Sequence, residues 1–183
     1  DREAVTSAFV NCAKAIAAYQ TQLRSVDAPF DTFVEGMRTD DPQKLAALTP
    51  SQQRGLKLFI GDAGCRQCHS GPLFTDFEFH NIGLPPGEGA PLHDSGRHLG
   101  IRVVQQSPFS AHGPYSDQPE GRRARLTRSA LQSGEHWGAF KTPSLRNVTR
   151  TAPYMHHGQL DSLADVLDYY NTLEDMVIQD HHQ

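Results

Sequence analysis

The run Cys65-Arg66-Gln67-Cys68-His69 constrains this 183-residue chain more than any other part of it. Two thiols separated by two residues, followed at once by an imidazole, form the C-x-x-C-H signature of covalent haem attachment. The spacing has a physical reason. Thiols one helical turn apart can each form a thioether to one of the two haem vinyl groups, and the adjacent imidazole then lies under the iron as its proximal ligand. Zinc would require a second Cys or His pair at defined spacing, and Cys12 alone is a poor partner. A thioredoxin-like redox pair would require a βαβ context, which the sequence lacks. Three cysteines cannot make a paired disulfide framework. Cys12 is therefore expected to be a small buried hydrophobe on the first helix. Thioether attachment normally happens outside the cytoplasm, so the expected location is periplasmic or otherwise exported.

Composition agrees with a prosthetic group. Hydrophobic residues make up 37% of the chain, and with its 15 glycines the sum reaches only the low edge of the globular range. Such a core is thin, and a porphyrin would help to fill it. The net charge is −4 and the only basic cluster is Arg122, Arg123, Arg125 and Arg128, which reads as a solvated surface and argues against nucleic acid. No stretch approaches the ~18 unbroken apolar residues of a membrane helix. The nearest, Ala8 to Tyr19, is interrupted by Asn11 and Lys14.

Val5, Phe9, Ala13, Ile16, Tyr19 and Leu23 recur at helical spacing and predict a helix over residues 3–24. Pro29 is read as a breaker, and Arg38 to Lys44 as a polar stretch. Thr49-Pro50-Ser51-Gln52 is a strong helix start, combining a capping threonine, a proline at the first helical position and a glutamine where a capping box wants one. That helix should run to about Phe59, with Leu56 and Phe59 inward. Between Gly71 and Gly121 there are 8 Gly and 7 Pro in 51 residues, so a long irregular loop is expected. A last helix should start near Ser162, with Leu163, Val166, Leu167 and Tyr170 on its apolar face. The expected domains are an N-terminal helix and linker over 1–48 and a c-type haem domain over 49–183.

The second axial ligand sets the potential of the iron and decides whether peroxide can reach it. Met155, Tyr170, Met176, His80, His93, His98, His112, His136, His156 and His157 are all chemically able to serve. Tyr170 has one argument from the residues: a phenol on an apolar helix face needs a partner. A core tyrosine bonded to a backbone carbonyl meets that need equally well.

A set of ordered blocks is more specific than C-x-x-C-H alone. Arg54-Gly55-Leu56-Lys57-Leu58-Phe59 leads into Gly64 and the haem motif, and then Ser70-Gly71-Pro72-Leu73-Phe74-Thr75-Asp76. Phe79-His80-Asn81-Ile82-Gly83, Asp94-Ser95-Gly96-Arg97 and Phe140-Lys141-Thr142-Pro143-Ser144-Leu145-Arg146-Asn147-Val148 follow. Thr151-Ala152-Pro153-Tyr154-Met155-His156-His157-Gly158 and Ser162-Leu163-Ala164-Asp165-Val166 close the series. In this order they resemble the C-terminal haem domain of the bacterial di-haem cytochrome c peroxidase and MauG superfamily, over about residues 50–171.

The resemblance implies an all-α cytochrome c-like domain with long irregular loops around one covalent haem c, held by Cys65 and Cys68 with His69 proximal. It implies a distal ligand on the helix after the Pro-Tyr-x-His-x-Gly block, methionine in typical peroxidases and tyrosine in the MauG branch. Tyr170 falls there, and Met155 is the alternative. It implies a calcium ion at the domain interface, held partly by the backbone carbonyls of Thr151 and Pro153. Arg97 and Arg146 are candidates to pair with haem propionates, or to make ordinary salt bridges. Trp137 is either a redox relay or a packing aromatic. His157 stands where the family carries Asp, and the chain has one haem motif where the family has two. The implied function is the redox haem domain of a di-haem peroxidase or MauG-like oxidoreductase, storing or relaying oxidising equivalents from peroxide. The implied partners are a second haem domain or subunit and a redox partner protein or protein substrate. Rival readings are a mono-haem electron-transfer cytochrome with His/Met ligation and a haem subunit that only positions a catalytic partner.

Overall fold

The computed structural model describes residues 1–23, 25, 27–85 and 94–172. The fold is all-α and cytochrome c-like, with one two-stranded sheet among the described residues. The described residues pack as two units: those of 1–76 with 144–146, and those of 77–143 with 147–172.

The first unit opens with α1 (Arg2–Gln20), capped by the Asp1 carboxylate accepting from the Glu3 N–H at 3.1 Å. Its apolar stripe is present but uncovered. Val5, Phe9, Ile16 and Tyr19 are all exposed, and so is Cys12, so the expectation of a buried Cys12 is corrected: α1 buries no residue at all. Pro29 does not end structure. It is the first residue of α2 (Pro29–Thr39), where its missing N–H costs nothing. Asp31 reaches back to accept from the Ala28 N–H at 3.0 Å and closes the helix start. The supposed polar stretch holds a second short helix, α3 (Pro42–Leu45), capped by Asp41. Then α4 (Pro50–Ile60) begins as the sequence predicts, with the Thr49 N–H donating to Gln52 Oε1 at 2.8 Å and the Gln52 N–H to Thr49 Oγ1 at 3.3 Å.

Phe33 and Leu48 are the buried hydrophobic side chains of this unit. Gly36, on α2, is also buried. An added Cβ there would stand 2.8 Å from both the Leu45 nitrogen and the Lys44 Cβ. Gly→Ala within a helix ordinarily gains up to ~1 kcal/mol. Here the overlap with α3 should reverse the sign, at an overpacking cost of about 1–3 kcal/mol. Thermal unfolding of Gly36→Ala should therefore show a lowered midpoint, and a raised one would contradict this packing.

In the second unit β1 (Phe79–His80) pairs antiparallel with β2 (Phe140–Lys141), Phe79 opposite Lys141 and His80 opposite Phe140. The Gly- and Pro-rich stretch is less irregular than expected, since it contains α5 (Arg97–Gln106). The helix was illegible because Gly100 and the adjacent Val103 and Val104 are poor helix formers, and tertiary contacts hold it. Ile101 is buried, and the Gln105 amide donates to the carbonyls of Thr127 and Ala130 at 3.0 and 2.9 Å, tying α5 to α6 (Arg122–Ser129). Last comes α7 (Leu163–Thr172). Ser162 and Asp165 cap it reciprocally, through Asp165 N–H to Ser162 Oγ at 3.1 Å and Ser162 N–H to Asp165 Oδ2 at 2.9 Å. Its inward aromatic is Tyr169, whose hydroxyl donates to the Ile82 carbonyl at 2.7 Å. Leu167 and Tyr170, expected inward, are 65% and 43% exposed. The helix is thus rotated from the sequence expectation, because a hydroxyl-to-carbonyl bond anchors it rather than a fully apolar stripe.

Candidate haem site

Gly64, at φ +67°, turns the chain from the end of α4 into the 3₁₀ turn Cys65–Gln67. The turn continues into a tight loop held by its own backbone. The His69 N–H donates to the Cys65 carbonyl at 2.9 Å, Asp76 N–H to Cys68 at 2.8 Å, and Thr75 N–H to Ser70 at 2.9 Å. Cys65, Cys68 and His69 are half-buried on this one loop, and no cysteine is in a disulfide. Burial pushes the Cys68 thiol up, and the Asp76 carboxylate adds to the effect.

His69 carries the decisive geometry. Its Nδ1 lies 2.9 Å from the Phe74 carbonyl oxygen. A carbonyl only accepts, so Nδ1 bears the proton and Nε2 presents its lone pair. This is how proteins orient a metal-ligating imidazole and raise its basicity. Phe74 in turn packs edge-on against Phe30 and Phe59, at centroid distances of 4.9 and 6.1 Å. A cavity of about 270 Å³, lined by Gly55, Leu56, Phe59, Phe74 and Leu145, opens beside these rings. Two thiols, an oriented imidazole and an apolar wall are the donor set and surface that a covalently bound porphyrin uses. The residues fit haem c.

The other candidates are distributed. Arg146 is committed within the first unit: Nη1 and Nη2 donate to Asp31 at 2.7 and 2.8 Å, Nε donates to the Pro72 carbonyl at 2.8 Å, and the guanidinium stacks 5.2 Å from the Phe74 ring. In the second unit the Arg97 guanidinium lies 4.0 Å above the Phe79 ring. Tyr170 is on α7. Met155, half-buried at φ +68°, sits on the turn that the Tyr154–Leu160 bridge closes. Thr151 and Pro153 are exposed just before it. Trp137 is half exposed and packs edge-on against His98 at 5.2 Å. His98 and His112 donate to the backbone carbonyls of Ser133 and Gln105 at 2.8 and 3.1 Å. His136 Nδ1 is buried without a hydrogen-bond partner. His80 is in β1. His93 and Met176 lie outside the described residues. Sequence reasoning missed the Phe74 carbonyl, since a backbone acceptor leaves no trace in the sequence, and missed Asp31 as the partner of Arg146.

The geometry of the motif loop and the ordered blocks around it can be set beside known proteins. No family model matches. The cytochrome-c peroxidase IdrP1 of Pseudomonas sp. strain SCT is 36% identical over 167 residues, covering 86% of this chain and 39% of that protein. The methylamine utilization protein MauG of Methylorubrum extorquens is 37% identical over 156 residues, covering 85% of this chain and 33% of MauG. The chain belongs to the cytochrome c peroxidase and MauG family. Among solved structures, a MauG-like protein associated with microbial copper homeostasis superposes with a TM-score of 0.52 at 28% identity, over 84% of this chain and 40% of that one. Family membership implies haem c at the Cys65–His69 loop. The chain spans about two fifths of the length of the peroxidases it matches. Among the described residues no helix is long and apolar enough to cross a membrane.

Proposed function

We propose that this chain is the redox haem domain of a di-haem peroxidase or MauG-like oxidoreductase, storing or relaying oxidising equivalents that derive from peroxide. The observation that carries the reading is His69 held by the Phe74 carbonyl beside Cys65 and Cys68. Haem c supplies one-electron chemistry at an iron whose potential its axial ligands set. Cys65 and Cys68 would anchor the porphyrin edge, and His69 would offer Nε2 as proximal ligand. Phe59, Leu56 and Phe74 would supply apolar surface that excludes water. In this reading Tyr170 would be the distal ligand and Arg97 a propionate partner. Arg146 would meet a propionate only by sharing its contact with Asp31. The carbonyls of Thr151 and Pro153 would serve calcium, a hard cation that takes oxygen ligands. A second haem domain is the proposed partner, and it would cover the exposed stripe of α1. The partner's haem would supply the peroxide chemistry, and a redox protein or protein substrate would receive the equivalents. Thioether attachment, which normally happens outside the cytoplasm, supports a periplasmic or otherwise exported location.

The place of Tyr170 on the helix after the Pro-Tyr-x-His-x-Gly block supports this reading over the His/Met cytochrome, but Met155 competes on the turn before that helix. Ferric spectra separate them. Tyr170→Phe should shift the absorption and EPR spectra of the haem-loaded chain and let cyanide bind, whereas Met155→Leu should leave both spectra unchanged. An unaltered spectrum in Tyr170→Phe would remove Tyr170. A lost low-spin signal in Met155→Leu would move the distal bond there and favour the electron-transfer cytochrome. Intact mass with haem count, for the chain alone and with its partner, tests the two-domain reading.

A further inference from the structure

Three metal-ligating side chains that the haem reading does not use converge in the second unit. Asp94, His156 and His157 each place one ligand atom within 4.8 Å of the other two. His157 Nε2 is 3.0 Å from Asp94 Oδ2, close to the ~3.0–3.5 Å that separates adjacent donors about 2.0–2.2 Å from one ion. The rings of His156 and His157 lie 4.1 Å apart, centroid to centroid. We propose that Asp94, His156 and His157 bind one divalent first-row cation of the zinc or copper type.

The placement is built rather than incidental. Asp94 Oδ1 accepts from the Gly96 N–H at 2.9 Å, which aims Oδ2 at His157. His156 stacks on Phe140 at 3.5 Å, fixing its ring plane. The turn that carries both histidines is closed by the Tyr154–Leu160 bridge and by Gln159 Oε1 accepting from the His157 N–H at 3.1 Å. Two imidazoles with one carboxylate suit zinc and copper, and copper should bind more tightly by the Irving–Williams order. Calcium and magnesium take all-oxygen sites and are excluded by the donor set. The ion would clip the 94–97 segment to the 154–160 turn.

The test is calorimetric titration of the full, haem-loaded chain with Zn²⁺ in excess Ca²⁺, repeated with Cu²⁺ and read by EPR. One saturable site is expected. His156→Ala and His157→Ala should each weaken it at least about 10-fold, a loss seen even when an outer-shell partner is removed. Asp94→Asn, the variant least disturbing to the turn, should weaken it as well. The copper EPR signal should lose the coupling of one nitrogen in each histidine variant and keep both in Asp94→Asn. Absence of a saturable site in the unmodified chain, or binding that these substitutions leave unchanged, overturns the proposal.

Discussion

Replacing Cys65 and Cys68 together with serine should take covalent haem from one per chain to none. A hydroxyl does not form the thioether that fixes the porphyrin, and the two thiols stand on one turn with no disulfide to occupy them. Haem staining on a denaturing gel and the pyridine haemochrome assay read the result directly. Either single replacement should leave one thioether and a shifted haemochrome band. His69→Gly is the informative companion. It should keep the haem covalently attached and lose the proximal nitrogen, and added imidazole should restore the spectrum. The effect on folding should also be large, because the first unit has few buried side chains of its own and relies on what packs against Phe59 and Phe74. Haem that survives denaturation in the double serine variant, or unmodified protein that is colourless, would remove the basis of the functional reading.

Features written in contiguous residues were legible from the sequence. The haem motif, the Thr49–Gln52 capping box and the start of α7 at Ser162 each depend on side chains a few positions apart, and the two helix starts are found where expected. The pattern of α2 was present too. Phe30, Phe33, Val34 and Met37 recur at one helical face, but Pro29 reads as a stop in the sequence and is a start in the fold, and no Ser, Thr, Asn or Asp at position 28 advertises the cap. What sequence spacing lacks is the identity of the neighbour. Tyr169 and Tyr170 are adjacent and chemically alike, and only the Ile82 carbonyl decides which one turns inward. The same holds for the site. Cys65, Cys68 and His69 announce themselves, while the carbonyl that orients His69 comes from a residue whose side chain says nothing about it. Asp94 is separated from His156 and His157 by about sixty residues, and their convergence belongs to the fold.

Asp31 and Arg146 make the strongest ionic contact described in the first unit, and breaking it should be expensive. The guanidinium donates twice to the carboxylate, at 2.7 and 2.8 Å, and the side chains are only 32% and 13% exposed. Loss of one partner from a fully buried pair costs about 3–5 kcal/mol. Asp31 keeps part of its hydration, so Arg146→Met should cost on the order of 2–3 kcal/mol at pH 7, including the lost bond to the Pro72 carbonyl. Asp31→Asn should cost less, since Arg146 retains that bond and its place over Phe74. The bond from Arg146 holds the Asp31 carboxyl below its ordinary 3.8, against the opposing effect of burial and with the Ala28 N–H assisting. A carboxyl depressed in the folded state contributes its stability above the unfolded value, and that contribution drains away as pH falls through the folded one. Urea unfolding of the haem-loaded protein should therefore show the gap between native and Asp31→Asn chains at its full size from about pH 5 upward and closing below about pH 4. A gap that stays constant across that range would mean that the carboxylate charge is not what holds Arg146. The capping bond to Ala28, which asparagine can mimic only in part, would then have to account for the loss.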